Sequence, residues 1–286
     1  MSNAPRFLIL DGYPKESRDQ FDDVGMRLAW VLYRDMLLDY LPGAQYDVWL
    51  STDDPDGAPT DAELKKYAGV LWPGCNLTVY HDDIRSTCQL ALARRAYTAG
   101  VPGFGSCWGI QVAAYTAGGT VEAHPKGREM GIVRDIKVTG EGLKHPMFDG
   151  KPEVFSHFVS HDDYISALPS GALRLAGNAW SPVQAAAITH ETGQFWAVQY
   201  HPEYDLHELA RLIVAREPRL VKQGLFLGHD DLAEYVDRLE ALAADPTRTD
   251  LRWQLGIDDT VLDPAIRQRE FKNWLDKLVL PRAAKM

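Results

Sequence analysis

Hydrophobic positions along this chain come first in short unbroken runs separated by helical repeats. Arg6 to Leu10 reads Arg-Phe-Leu-Ile-Leu and stops at Asp11-Gly12, which predicts a buried strand. Tyr13 to Asp23 is polar and is expected to be a loop. Val24 to Leu41 carries apolar residues at helical spacing and ends at the breaker pair Pro42-Gly43. A second strand is expected over Tyr46 to Leu50, followed by a loop rich in Asp, Pro and Gly from Ser51 to Pro59. Ala68 to Trp72 predicts a third strand, Asp82 to Ala99 a helix, Val101 to Phe104 a fourth strand, and Trp108 to Gly118 another helix. Strands alternating with helices imply a parallel sheet covered on both faces, with ligands gathering at the carboxyl ends of the strands.

From Thr120 to Gln199 the pattern changes to shorter β-like segments: Ile132 to Thr139, Val154 to Val159, Leu173 to Ala176, Ala185 to Thr189 and Phe195 to Tyr200. These predict an antiparallel extension that returns the chain to the mouth of the parallel sheet. After Asp205 the pattern is helical again, over Leu206 to Lys222, Asp230 to Ala244 and Pro264 to Leu280. This last stretch has nearly balanced charge. Its apolar residues Leu209, Leu212, Ile213, Val214, Trp253, Phe271 and Trp274 predict a folded helical appendage packed near the site entrance.

The 286 residues are enough for one large domain, or a domain with an appendage, and 45% hydrophobic with 24% charged is ordinary for a globular protein. A net charge of −10 argues against nucleic-acid partners, whose phosphates call for basic surfaces. No apolar run is long enough to cross a bilayer, and the N-terminus has no apolar leader core. The three cysteines, Cys75, Cys88 and Cys107, lack the spacing of a disulfide framework or a zinc site, which suits a reducing cytoplasm.

One of those cysteines stands in a distinctive frame. Gly105-Ser106-Cys107-Trp108-Gly109-Ile110-Gln111 has the form G-x-C-x-G-x-Q and joins the fourth strand to a helix. A nucleophile at such a turn sits in strained backbone, so its neighbours two residues away must be small, as Gly105 and Gly109 are. The helix N-terminus favours its thiolate. A free cysteine is more commonly just a small buried hydrophobe, but the downstream His201-Pro202-Glu203 supplies a base and a carboxylate to orient it. If the last strand continues through this tripeptide, period-2 geometry puts His201 and Glu203 on one face.

With these motifs, Gly69-Val70-Leu71-Trp72-Pro73-Gly74, Phe158-Val159-Ser160-His161-Asp162 and Ala197-Val198-Gln199-Tyr200-His201-Pro202-Glu203, the chain resembles the class I glutamine amidotransferases. It is most similar to the amidotransferase domain of GMP synthase and its stand-alone relatives. The resemblance runs from about Arg6 to Asp205. It implies an α/β fold with a mostly parallel, flavodoxin-like central sheet flanked by helices over residues 1–205, and leaves residues 206–286 as a helical C-terminal extension. It implies a catalytic triad of Cys107, His201 and Glu203 that passes through a γ-glutamyl thioester. The oxyanion hole falls on the backbone N–H groups of Trp108 and Gly74. Many relatives carry a glycine pair or Gly-Ser at the second of these places. Here Pro73-Gly74-Cys75 leaves only Gly74 or Cys75 able to donate, and Cys75 lacks an elbow of its own.

Gln111 lies one helical turn beyond Cys107 on the same face, and the resemblance gives it the substrate's amino-acid end. Ser160, His161 and Asp162 match a segment with further substrate contacts, although His161 is also a rival base. His81-Asp82-Asp83 and His161-Asp162-Asp163 look like metal-ligand clusters but read better as helix caps and dipole partners, so neither metal nor cofactor is expected.

The leading expectation is a glutaminase whose ammonia passes to an acceptor on another chain. A γ-glutamyl hydrolase acting on another γ-glutamyl amide is the first rival. A catalytically silent binding protein is the second, and the complete triad counts against it. An α/β-hydrolase with a cysteine nucleophile places its acid before the histidine, the reverse of this chain's order. No phosphate-cradling loop and no room for a fused synthetase are found, so an ammonia-accepting synthetase subunit is a separate chain. The acceptor and the oligomeric state are left open.

Overall fold

The computed structural model describes residues 4–284; residues 1–3, where the sequence expects a direct lead into the first strand, lie outside them. The first part of the chain runs β1 (Arg6–Asp11), α1 (Lys15–Val24), α2 (Ala29–Tyr40), β2 (Gln45–Leu50), α3 (Asp61–Leu64), β3 (Gly69–Trp72), α4 (Ile84–Thr98), β4 (Gly103–Ser106) and α5 (Trp108–Thr116). The segment expected to be a loop before the first long helix forms α1, because Phe21 is fully buried and Arg18 has a backbone partner, Tyr13 O at 2.5 Å. That helix ends at Gly25, which takes φ +78°, so the next one starts at Ala29 rather than Val24.

The middle part is β-rich: β5 (Thr120–Ala123), β6 (Glu129–Val138), β7 (Val154–His161), β8 (Asp163–Ala167), β9 (Ala172–Gly177), β10 (Ala185–His190) and β11 (Gly193–Val198). Nine strands make one sheet in the order β2-β1-β3-β4-β11-β10-β9-β6-β7, and β5 pairs with β8 apart from it. Pairing is parallel from β2 to β11 and antiparallel from β11 to β7, so the expected α/β fold with an antiparallel extension is present. The extension brings β11 back beside β4, with Val198 opposite Ser106.

The chain then becomes helical: α6 (Leu206–Ala215), α7 (Glu217–Lys222), α8 (His229–Ala244), α9 (Thr249–Leu255), α10 (Asp259–Leu262), α11 (Pro264–Arg267), α12 (Arg269–Trp274) and α13 (Leu280–Ala283). The long helices expected over Leu206 to Lys222 and Pro264 to Leu280 are both interrupted. Pro218 cannot donate an N–H to the turn before it, and the chain restarts as α7. Between α11 and α12, Gln268 leaves helical geometry while Arg267 turns in to donate to Val261 O and Leu262 O at 2.6 and 3.2 Å.

Three apolar clusters hold these layers together. One sheet face packs Trp72, Phe195 and Val70 against α4 and α5 through Leu92, Tyr97 and Ile110. The opposite face packs Phe7, Phe104 and Trp196 against α2 and the end of the chain, where Phe271, Trp274, Leu275 and Val279 are buried. The third cluster joins α1 to α6 and α8 through Phe21, Leu209, Ile213 and Leu239. Trp253, expected to be buried, is instead 86% exposed. On α9 the inward positions are Leu251 and Leu255, one turn apart, and residue 253 falls on the opposite side of so short a helix.

Candidate active site

Gly74 and Cys107 follow the carboxyl ends of β3 and β4, and His201 follows β11, so three parallel strands deliver their next residues to one edge. Cys107 stands between β4 and α5 with φ +50° and ψ −96°, a conformation non-glycine residues adopt only under constraint. The tightness of the turn explains its glycines. A Cβ at Gly105 would lie 2.7 Å from Gly109 Cα, and one at Gly109 would lie 2.5 Å from Trp72 O. The Cys107 N–H is pinned to Val198 O at 2.8 Å, and Sγ lies 3.7 Å from Ser160 O.

His201 reaches Cys107 from the other side of the crevice. Its N–H donates to Phe158 O at 2.9 Å, its Nδ1 bonds Glu203 Oε1 at 2.7 Å, and its ring stacks on Tyr204 at 4.1 Å with a 6° interplanar angle. Nε2 is buried without a hydrogen-bond partner and has the Cys107 thiol as its neighbour. Burial by itself would lower the His201 pKa. The Glu203 carboxylate and the Cys107 sulfur outweigh it and push the imidazole up to about 10. The carboxylate does not reach His201 along a pleated strand as the sequence suggests, because β11 ends at Val198 and a turn carries Glu203 inward. Ser106 fixes its orientation by donating to Glu203 Oε1 at 2.9 Å.

The backbone of Gly74 runs against this pair. A Cβ there would lie 2.8 Å from His201 Cε1 and 3.4 Å from Cys107 Cβ. Trp108 is the first residue of α5, so its N–H has no partner within the helix and is free to face the same space.

Beside Cys107 opens a cavity of about 260 Å³, and Gln111, Ser160, His161 and Asp162 all line it. Gln111 Nε2 donates to Asp163 O at 3.2 Å, and Ser160 Oγ accepts from Arg128 at 2.8 Å. Asp162 accepts from Arg128 at 2.5 Å and from Arg219 at 2.7 Å. His161 has both ring nitrogens engaged elsewhere, with Glu129 Oε2 at 2.8 Å and Asp163 O at 2.9 Å, so it forms wall rather than base. The other suspected metal cluster is a cap: Asp83 accepts from the Arg85 N–H at the start of α4. Among the described residues no group of three His, Cys, Asp or Glu is placed to hold a metal ion, and no helix is long and apolar enough to cross a membrane.

Several residues of the site escaped the sequence reading. Ser106 fills an unspecified position of the cysteine elbow and Tyr204 follows Glu203, so their signal is adjacency alone. Arg128 and Glu129 lead into β6, which also carries Arg134, Asp135 and Lys137, so no pattern marks them, and their burial with ionic partners shows only in the fold. Leu212, Arg216 and Arg219 come from α6, α7 and their junction, a region with no active-site motif.

Burial holds the Cys75 thiol well above its ordinary pKa and pushes that of Cys88 up to about 11.

The family model described as "Glutamine amidotransferase class-I" matches residues 33–217. A gamma-glutamyl-L-1-hydroxyisopropylamide hydrolase from a Pseudomonas species is 29% identical over 283 residues, spanning 97% of this chain and 94% of that protein. A glutamine-hydrolyzing GMP synthase from Thiobacillus denitrificans is 35% identical over 208 residues, 68% of this chain, and the chain spans only 35% of that protein's length. The crystal structure of a glutamine amidotransferase from Thermotoga maritima superposes with a TM-score of 0.61 at 17% identity, covering 99% of each chain, which speaks to the fold alone.

Proposed function

The chain belongs to the class I glutamine amidotransferase family, and within it we propose a hydrolase that cleaves a γ-glutamyl amide through a thioester on Cys107. The observation that carries this reading is the strained cysteine at a helix N-terminus facing an imidazole held by Glu203 at 2.7 Å. The Cys107 thiolate attacks the γ-carbonyl carbon, and the developing oxyanion is received by the N–H groups of Trp108 and Gly74. As the tetrahedral adduct collapses, the His201 imidazolium gives its proton to the departing amine and leaves the γ-glutamyl group on sulfur. Water then attacks the thioester; His201 takes its proton, glutamate departs, and the thiolate–imidazolium pair is restored.

On the substrate, we favour an amide whose nitrogen carries a substituent. Two observations support this. A relative that matches almost the whole chain, C-terminal helices included, is named for such an amide. Those same helices supply Leu212, Arg216 and Arg219 to the cavity wall, so the chain completes its own pocket. A second reading, a glutaminase passing ammonia to a synthetase on another chain, is supported by the GMP synthase matches. In both readings the helical segment after residue 205 walls the catalytic unit before it, and the three unpaired cysteines suit the cytoplasm.

The test is glutamate release from glutamine and from a panel of N-alkyl γ-glutamyl amides, with Cys107→Ala as control. A higher kcat/KM on N-alkyl amides is expected. Turnover of glutamine alone selects the second reading, and turnover that survives Cys107→Ala rejects both.

A further inference from the structure

Arg216 is the most conspicuous charge in the cavity that no step above uses. It stands at the junction of α6 and α7, where its N–H bonds Leu212 O and Ile213 O and its own carbonyl accepts from Arg219 and Leu220. This fixes its Cα firmly. Its guanidinium lies over the Phe21 ring, 5.4 Å from the centroid, and lines the same cavity as Cys107 and Gln111. Among the described residues it makes no ion pair and no side-chain hydrogen bond. The two other guanidinium groups of the cavity, Arg128 and Arg219, already share one carboxylate, Asp162, at 2.5 and 2.7 Å. Arg128 is itself only 8% exposed, and its Nε is buried with no partner. A chain with a net charge of −10 thus gathers three guanidinium groups in a cavity with two carboxylates, Asp162 and Asp163, beside its candidate nucleophile.

Such an arrangement is complete only when an anion enters. Arginine forks suit a carboxylate in particular, because its two oxygens accept parallel N–H bonds. A γ-glutamyl compound bound with its amide carbonyl at Cys107 brings one carboxylate, on its α-carbon. We propose that Arg216, with Arg128 in the wall of the same cavity, receives the substrate's α-carboxylate, so that the C-terminal helices supply a specificity-determining residue. Arg219 is a positioning residue: it holds Asp162, which in turn holds Arg128. The inference rests on the γ-glutamyl reading given above.

The experiment compares wild type with Arg216→Gln and Arg216→Lys on a γ-glutamyl amide and on the matching 4-aminobutyramide, which lacks only the α-carboxylate. Wild type is expected to prefer the γ-glutamyl amide. Arg216→Gln is expected to raise its KM roughly 10- to 100-fold, the loss of a charge-assisted pair, with kcat within a few-fold. Turnover of the 4-aminobutyramide should not change, and Arg216→Lys should fall between. An unchanged KM in Arg216→Gln, or equal losses on both substrates, overturns the proposal. A second arm needs no turnover: L-glutamate should slow alkylation of Cys107 by iodoacetamide in wild type but not in Arg216→Gln, while 4-aminobutyrate protects neither. If wild type cleaves no γ-glutamyl amide, the substrate reading fails on the first arm. The role of Arg216 is then judged by protection alone, and its absence in wild type, or its persistence in Arg216→Gln, overturns it.

Discussion

Trp274 lies far along the chain from every site motif, yet replacing it with alanine should destabilise the whole fold. Its ring is fully buried against the sheet, with centroids 5.8 Å from Phe104, 6.1 Å from Phe7 and 5.7 Å from Phe271. The fit is close enough that a Cβ on Gly69 would lie 2.6 Å from the indole. Truncating a buried tryptophan costs about 3–5 kcal/mol. The indole N–H is buried with no acceptor, so its removal offsets part of that loss and argues for the lower end, about 3 kcal/mol. At about 2–3 °C per kcal/mol for a domain of this size, the melting temperature should fall by about 6–9 °C. Thermal unfolding followed by circular dichroism reads this directly. Trp253→Ala is the matched control, since its 86% exposed side chain should be worth less than about 0.5 kcal/mol. Equal melting temperatures for the two variants would refute the claim that the C-terminal helices complete the sheet's core. The same logic predicts that truncation after Tyr204 gives an aggregating chain, because it uncovers the face buried by Phe271, Trp274, Leu275 and Val279.

Three further outcomes follow from the site. His201 is raised from its ordinary value to about 10, so its protonated pair with Glu203 contributes stability fully below about pH 6.5 and loses it as pH rises through about 10. A kcat/KM profile should therefore have an alkaline limb near pH 10, and Glu203→Gln should move that limb to lower pH; a limb that stays in place would remove Glu203 from the triad. Gly74→Ala should reduce kcat about 10²-fold by driving His201 from Cys107, at an overpacking cost of about 1–3 kcal/mol in stability. Wild-type kcat in that variant would show that the crevice has slack. A diazo-ketone glutamine analogue at neutral pH should label Cys107 and leave Cys75 and Cys88 unmodified, since burial keeps those two as thiols. Peptide mass spectrometry that finds the adduct on Cys75 would contradict this.

What the sequence determined by itself lies in local patterns. Alternating apolar runs and helical repeats specify the parallel half of the sheet, because each element's periodicity is set by its own residues. The elbow is legible for the same reason: Gly105 and Gly109 are demanded by contacts within a few residues of Cys107. Where burial depends on distant partners, local pattern fails. α1 looks polar because its apolar anchors are only Phe21 and Val24, and Arg18 finds its acceptor only when folded. Trp253 looks like core but lies outside, since which side of α9 faces inward is settled by packing. Glu203 reaches His201 around a turn that the expected strand did not contain. Only the tertiary structure brings Arg128 from just before β6, and Arg216 and Arg219 from the C-terminal helices, to Cys107. Charges that far apart in sequence have no spacing to betray them; their meeting depends on how α6 lies on α1, which is decided by the apolar surface that the two helices share.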